Sequence, residues 1–339
     1  MSVAGCGVMP YLIGVEELSA YEPFCSGRVT GVSGAVYLVT TGDGRLLRCR
    51  TVAGTQSAAA DASLLCVGDL VDVQLTPGGV ADPEGLIAKV HARSSVLVRR
   101  RDPRRNRSKE KQQVIASNIE LLVPVVSVDD PPLSTRLVDR YLVFAESERL
   151  PVLIVVNKMD LDEEGGVREL MAVYHDLGYR VCYISVLERR GIDELNTLLA
   201  GSVSAFSGHS GVGKSSIINL LTGGTLKTSQ TSFKTGRGVH TTSNAVMLPL
   251  PDGGAVIDTP GIREFSLVDI TRENLRFYFP EFLGLMPHCM FSSCTHTVEP
   301  GCAVRSAVGT GLVHDARYAS YLVLFETVEE TGSRQKSVP

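Results

Sequence analysis

No apolar run in this 339-residue chain reaches the roughly 20 residues that a bilayer-spanning helix needs. The longest, such as residues 121–126 and 152–156, have the length of strands, which argues against a membrane protein. Lysine and arginine are missing from the first 21 residues, where Glu16 and Glu17 stand instead, so the start of the chain does not read as a secretory signal. The cytoplasm is the expected location. A disulfide framework is missing too: eight cysteines are scattered, with three crowded between positions 289 and 302, which suits a metal site in a reducing compartment. Aromatic side chains are scarce. Tyr37 is the only Phe, Tyr or Trp between Cys25 and Arg99, so base stacking is a weak mode of recognition for that part of the chain. A net charge of −4 speaks against a general nucleic-acid coat.

Charge is nevertheless uneven. Between Arg99 and Lys111 six arginines and two lysines face only Asp102 and Glu110, a local balance of +6 that leaves about −10 on the rest. Two readings stay open, a solvated linker or a contact with a phosphate-rich partner.

Length and pattern imply several domains. Residues 24–32, 35–40, 45–52, 69–75 and 86–94 are short β-rich runs, with Gly42-Asp43-Gly44 as a hairpin turn, and five such strands fit an OB-type barrel. From residue 96 to about 270 the pattern alternates. Strands are expected at 121–128, 152–156, 180–184, 203–207, 243–250 and 255–257, and helices at 136–147, 167–177, 192–200 and 214–221, the pattern of a doubly wound α/β sheet. The expected division is an extension at 1–22, the barrel at 23–95, the α/β domain at 96–270 and a C-terminal domain at 271–335. Residues 311–329 read as an amphipathic helix there.

Chemistry concentrates in the loops. Gly208-His209-Ser210-Gly211-Val212-Gly213-Lys214-Ser215-Ser216 follows an apolar strand and opens a helix, the setting of a phosphate loop. Its backbone amides would meet phosphate oxygens, Lys214 the terminal phosphates, and the Ser215 hydroxyl a magnesium ion. Asn157-Lys158-Met159-Asp160 follows another apolar strand, and an Asp160 carboxylate there accepts from guanine N1 and N2, a donor pair that adenine lacks. Asp258-Thr259-Pro260-Gly261 suits the magnesium-bound water and the γ-phosphate. His240-Thr241-Thr242 offers a switch threonine, either Thr241 or Thr242, for magnesium. Ser185-Val186-Leu187 is a weak match to the segment that backs the base. Cys289, Cys294, His296 and Cys302 lie within fourteen residues, and three thiolates with one imidazole make a closed, structural zinc site.

The guanine loop precedes the phosphate loop, and both precede the switches. This order resembles the circularly permuted GTPases. With a barrel before and a cysteine-histidine cluster after, the chain looks like the ribosome small-subunit-dependent GTPase A family. The most specific residues are Asn118, the run from Arg136 through Asp139 to Arg140-Tyr141, Gly236 to Thr242, and the Cys289, Cys294, His296, Cys302 set. The resemblance spans about residues 24–330, leaves out the first 22, and implies a helical zinc-binding C-terminal domain.

What it implies for function is a GTP hydrolase, using magnesium, that binds the small ribosomal subunit and its rRNA as a monomer. Hydrolysis would be stimulated by the subunit and coupled to late subunit maturation and to release. Ile262 stands where many GTPases carry a water-orienting glutamine. By resemblance His240 is the expected replacement, or it packs against RNA or its own loop. The alternative is an rRNA-binding placeholder that senses GTP and hydrolyses little. Because the second switch leads directly into the C-terminal segment, the zinc module is expected to report nucleotide state to the ribosome.

Overall fold

A computed structural model describes residues 24–57, 65–76, 85–100, 112–224, 245–258, 267 and 270–328. Its first part is a closed five-stranded barrel. Strands β1 (Phe24–Ser33), β2 (Val36–Thr41), β3 (Leu46–Ser57), β4 (Leu70–Leu75) and β5 (Gly85–Val90) pair in the order β1-β2-β3-β5-β4, and β4 returns to β1. Only β3 and β5 run parallel. Alternate residues point inward, as a strand period of two requires, and Val29, Tyr37, Val39, Cys49, Val71, Val73 and Ile87 fill the interior. At the β2–β3 turn Gly44 takes a φ of +84°, and its N–H donates to the Thr41 carbonyl at 2.9 Å.

Two further strands, β6 (Val96–Arg100) and β7 (Gln112–Ser117), pair antiparallel outside the barrel. The sequence pattern shows neither. The basic residues 101–111, which lie outside the described residues, fall between these two strands in the sequence. Asn118, directly after β7, adopts a left-handed φ of 52°. Its buried side chain accepts from the Ser94 N–H at 2.9 Å and donates to the Gly68 carbonyl at 3.0 Å, tying the hairpin to the barrel. Next to it Asp69, fully buried, accepts two bonds from Arg93 at 2.7 and 2.9 Å and one from Ser117 Oγ at 2.7 Å.

The α/β part continues with β8 (Leu121–Ser127), β9 (Leu153–Asn157), β10 (Arg180–Tyr183), β11 (Val203–Ser207), β12 (Val246–Pro249) and β13 (Ala255–Asp258), in the order β10-β9-β8-β11-β13-β12. All but β12 run parallel. Strands β9, β11 and β13 are buried along their whole length, as parallel strands covered on both faces must be. Helices α1 (Thr135–Glu148) and α2 (Val167–Asp176) pack Val138, Leu142, Met171 and Tyr174 on one face. On the other face α3 (Ile192–Leu199) and α4 (Lys214–Leu221) bury Leu195, Leu199, Ile217 and Ile218. The sheet is doubly wound.

The C-terminal part is built of short turns and the helix Asp315–Thr327. Rings of Phe279, Phe282 and Tyr321 meet at centroid distances of 5.0–5.1 Å. Arg317 joins this part to α1: its guanidinium donates to Asp139 at 2.7 Å and to Glu281 at 2.7 and 3.1 Å. Tyr174 adds a hydroxyl donor to Asp139 at 2.9 Å. Among the described residues no helix is long and apolar enough to cross a membrane.

Candidate functional site

The loops singled out by composition converge at the carboxyl ends of the parallel strands. Strand β11 runs into residues 208–213 and then α4, the central position in the sheet. Backbone geometry explains the glycines. Gly208 and Gly213 have φ of +152° and +95°, and a Cβ would lie 2.2 Å from the Val125 carbonyl oxygen at the first and 2.3 Å from Asn157 Nδ2 at the second. Val212 is buried under the loop, while Ser210, Gly211, Ser215 and Ser216 are exposed. His209 is partly buried and contributes its carbonyl: Lys214 Nζ donates to the carbonyls of Gly208 and His209, both at 2.7 Å. The ammonium thus folds over its own loop. Burial lowers the Lys214 pKa, and the Asp258 carboxylate opposes that shift. Burial likewise raises the Asp258 pKa against the pull of Lys214. A half-buried ammonium and a buried carboxylate at the mouth of a helix N-terminus form a polarised site suited to a phosphate group with a cation beside it.

Asn157, at the end of β9, is 2% exposed and bridges three segments. Its Nδ2 donates to the Val212 carbonyl at 2.8 Å, and its Oδ1 accepts from the Val186 N–H at 3.3 Å. Lys158 adopts a left-handed φ of 62° and donates to the carbonyls of Asp129, at 3.2 Å, and Asp130. Asp160 Oδ1 accepts from the fully buried Ser185 hydroxyl, which also accepts from the Glu188 N–H at 3.1 Å. Ser185, a weak match in sequence, therefore stands beside Asp160. Asp258 closes β13 next to this edge and is 6% exposed. His240, Thr241, Thr242 and Gly261 lie outside the described residues.

One contributor escapes the motif search. Residues 127–134, between β8 and α1, reach over the phosphate loop, and a Cβ on Gly211 would lie 3.3 Å from Pro131 Cδ. The only sequence signal was the turn-forming Asp129-Asp130-Pro131-Pro132 run.

The second cluster fits a metal. Ligand atoms of Cys289, Cys294, His296 and Cys302 all lie within 4.8 Å of one another, and only Cys289 is not fully buried. His296 Nδ1 is 3.6 Å from Cys289 Sγ and 3.4 Å from Cys302 Sγ. Corners of a tetrahedral zinc site with bonds of about 2.0–2.3 Å stand roughly 3.3–3.8 Å apart, so the donor set needs little adjustment. Burial, helped by Arg276, lowers the His296 pKa and so favours the neutral ring, the form that binds a metal. Glu299 braces the loop by accepting from Thr295 N and Oγ1, both at 2.6 Å, and from the N–H groups of Thr297 and Val298, both at 3.1 Å. Burial alone would raise its pKa, but these bonds outweigh it and hold the carboxyl at about 2.

A family model described as RsgA GTPase matches residues 90–268. A protein of Chlorobaculum parvum called small ribosomal subunit biogenesis GTPase RsgA is 59% identical over 306 residues, covering 90% of this chain and 98% of its own. One of the same description from Bacteroides fragilis is 38% identical over 309 residues, with 90% and 97% covered. The crystal structure of YjeQ from Thermotoga maritima superposes with a TM-score of 0.69 at 31% identity, covering 90% of this chain and 98% of that one. YloQ, described as a circularly permuted GTPase, gives a TM-score of 0.70 at 24% identity over 94% and 99%, a likeness of fold.

Proposed function

Because this chain belongs to the RsgA GTPase family, we propose that it hydrolyses GTP in the biogenesis of the small ribosomal subunit. One observation carries the nucleotide assignment. Asn157 bonds the guanine-reading loop to both the phosphate loop and the Ser185 segment, which supports reading these loops, in permuted chain order, as a single pocket. In that pocket Asn157 and Asp160 select guanine, and Ser185 holds the Asp160 carboxylate toward the base. Backbone amides of residues 208–216 cradle the phosphates, and Lys214 spreads the charge of the β and γ groups. Ser215, Asp258 through water, and Thr241 or Thr242 would hold magnesium, which supplies charge neutralisation between the β and γ phosphates. Gly261 offers its amide to the γ-phosphate, and His240 orients the attacking water when the ribosomal particle is bound.

The partner follows from charge. The basic residues between β6 and β7 carry a charge that suits an rRNA backbone, and the barrel offers a second surface. Hydrolysis is stimulated by the small subunit and coupled to its late maturation and to release of the protein, which works as a cytoplasmic monomer. A structural zinc held by Cys289, Cys294, His296 and Cys302 orders the C-terminal module. The proposed domain limits are residues 23–95, 96–270 and 271–335.

Calorimetry with GTP, GDP and ATP tests the pocket. Wild-type protein should bind the guanine nucleotides at least about a hundredfold more tightly than ATP, and Asp160→Asn should erase most of that gap. Equal affinity for GTP and ATP would remove the assignment.

A further inference from the structure

The segment between β8 and α1 carries none of the nucleotide-binding motifs, yet it touches two of the loops that do. Val128 N–H donates to the Asn157 carbonyl at 3.1 Å, and Lys158 of the guanine loop donates to the carbonyls of Asp129 and Asp130. On its other side Pro131 lies against Gly211 of the phosphate loop, close enough that a Cβ there would meet Pro131 Cδ at 3.3 Å and the Asp130 carbonyl oxygen at 3.7 Å. The segment is itself held. Ser127 Oγ donates to the Pro131 carbonyl at 2.8 Å, the Asp130 N–H donates to the Asp129 carboxylate at 2.8 Å, and Leu133 N–H returns to the Val128 carbonyl at 3.3 Å.

Resting on the pocket assignment above, we infer that residues 127–131 are a third wall of the nucleotide site, and that Pro131 sets the spacing between the guanine and phosphate loops. The base and the β-phosphate of one nucleotide are fixed by covalent geometry. Two loops that grip those ends must therefore hold one separation. Asn157 fixes it from beneath, through Val212. Pro131 and the carbonyls that hold Lys158 fix it from the side. The Pro131 ring packs against Gly211, while the bonds from Ser127 Oγ to the Pro131 carbonyl and from the Asp130 N–H to the Asp129 carboxylate hold the turn whose carbonyls face the ammonium. In this account Pro131 and Ser127 are positioning residues: they touch no reacting atom and act on where the nucleotide sits.

The test is Pro131→Gly in the full-length protein, read by GDP and GTP affinity and by basal turnover. Affinity for both nucleotides should fall about tenfold, while kcat at saturating GTP stays within about twofold. Ser127→Ala, which removes the bond to the Pro131 carbonyl without changing the backbone, should move affinity in the same direction by a smaller factor. Pro132→Gly, at the exposed neighbouring position, should change affinity by less than about twofold and controls for simple loosening of the chain. Unchanged affinity in both Pro131→Gly and Ser127→Ala, or equal losses in Pro131→Gly and Pro132→Gly, would overturn the inference. Asp160→Asn measured alongside separates the two levels. If it erases guanine preference while Pro131→Gly is silent, only the third wall is lost, and if Asp160→Asn is silent the pocket assignment itself fails.

Discussion

Replacing Arg317 with methionine removes a cation that is 1% exposed and leaves the carboxylates of Asp139 and Glu281, side chains 1% and 4% exposed, without a counter-ion. Three hydrogen bonds of 2.7–3.1 Å are lost, together with the stacking of the guanidinium on Phe279 at 4.6 Å. Taking away one partner of a buried pair costs about 3–5 kcal/mol, because the remaining charge stays desolvated. That is roughly two to four powers of ten in the folding equilibrium. The chain has no tryptophan, so urea unfolding is followed by far-UV circular dichroism. The loss should centre on the docking of the C-terminal part on α1, since Asp139 and Arg317 stand on those two elements. Replacing all three groups together, as Asp139→Leu, Glu281→Gln and Arg317→Met, should recover most of the stability, because no charge is then stranded. A loss below about 1 kcal/mol for Arg317→Met, the value of a solvated pair, would refute the reasoning.

Three further outcomes are expected. Gly213→Ala forces a side chain to within 2.3 Å of Asn157 Nδ2 at a φ of +95°, so GDP and GTP affinity should fall at least about tenfold while the circular dichroism spectrum stays that of wild type. Wild-type affinity in that variant would show that the Asn157 contact yields freely. Wild-type protein should carry one zinc per chain by plasma mass spectrometry, and Cys302→Ser should lose it and expose the C-terminal part to protease, whereas full zinc in the variant would exclude Cys302 as a ligand. Asn118→Ala should cost about 2–4 kcal/mol, since it strands the Gly68 carbonyl and the Ser94 N–H and places alanine at a left-handed φ. A change under about 0.5 kcal/mol in a urea melt would contradict that role.

Much of this molecule is legible in one dimension because its signals are local. The barrel strands announce themselves by alternation, and β8 and β9 by apolar runs that only a doubly covered sheet can hide. Phosphate and guanine loops are read from glycine, lysine and carboxylate at fixed spacing, and the cysteine cluster from four donors within one short loop. What stayed hidden is tertiary. Asp139 and Arg317 are 178 residues apart, and nothing near either one says that it is paired. Strands β6 and β7 flank a strongly basic run, and its composition gives no sign that Val96 pairs with Ser117 across it. Ser185 departs from the common base-backing pattern, yet its hydroxyl reaches Asp160 from 25 residues away. Pro131 belongs to no motif, and only the packing of Gly211 against it brings it beside the phosphate loop.

GTP turnover titrated with mature small ribosomal subunits probes nucleotide, partner and catalysis together. The account predicts slow release of phosphate from GTP by the free protein, a rise of roughly a thousandfold or more as subunits are added, and no such rise with ATP or with large subunits. A rate from GTP that stays flat across the titration would contradict it.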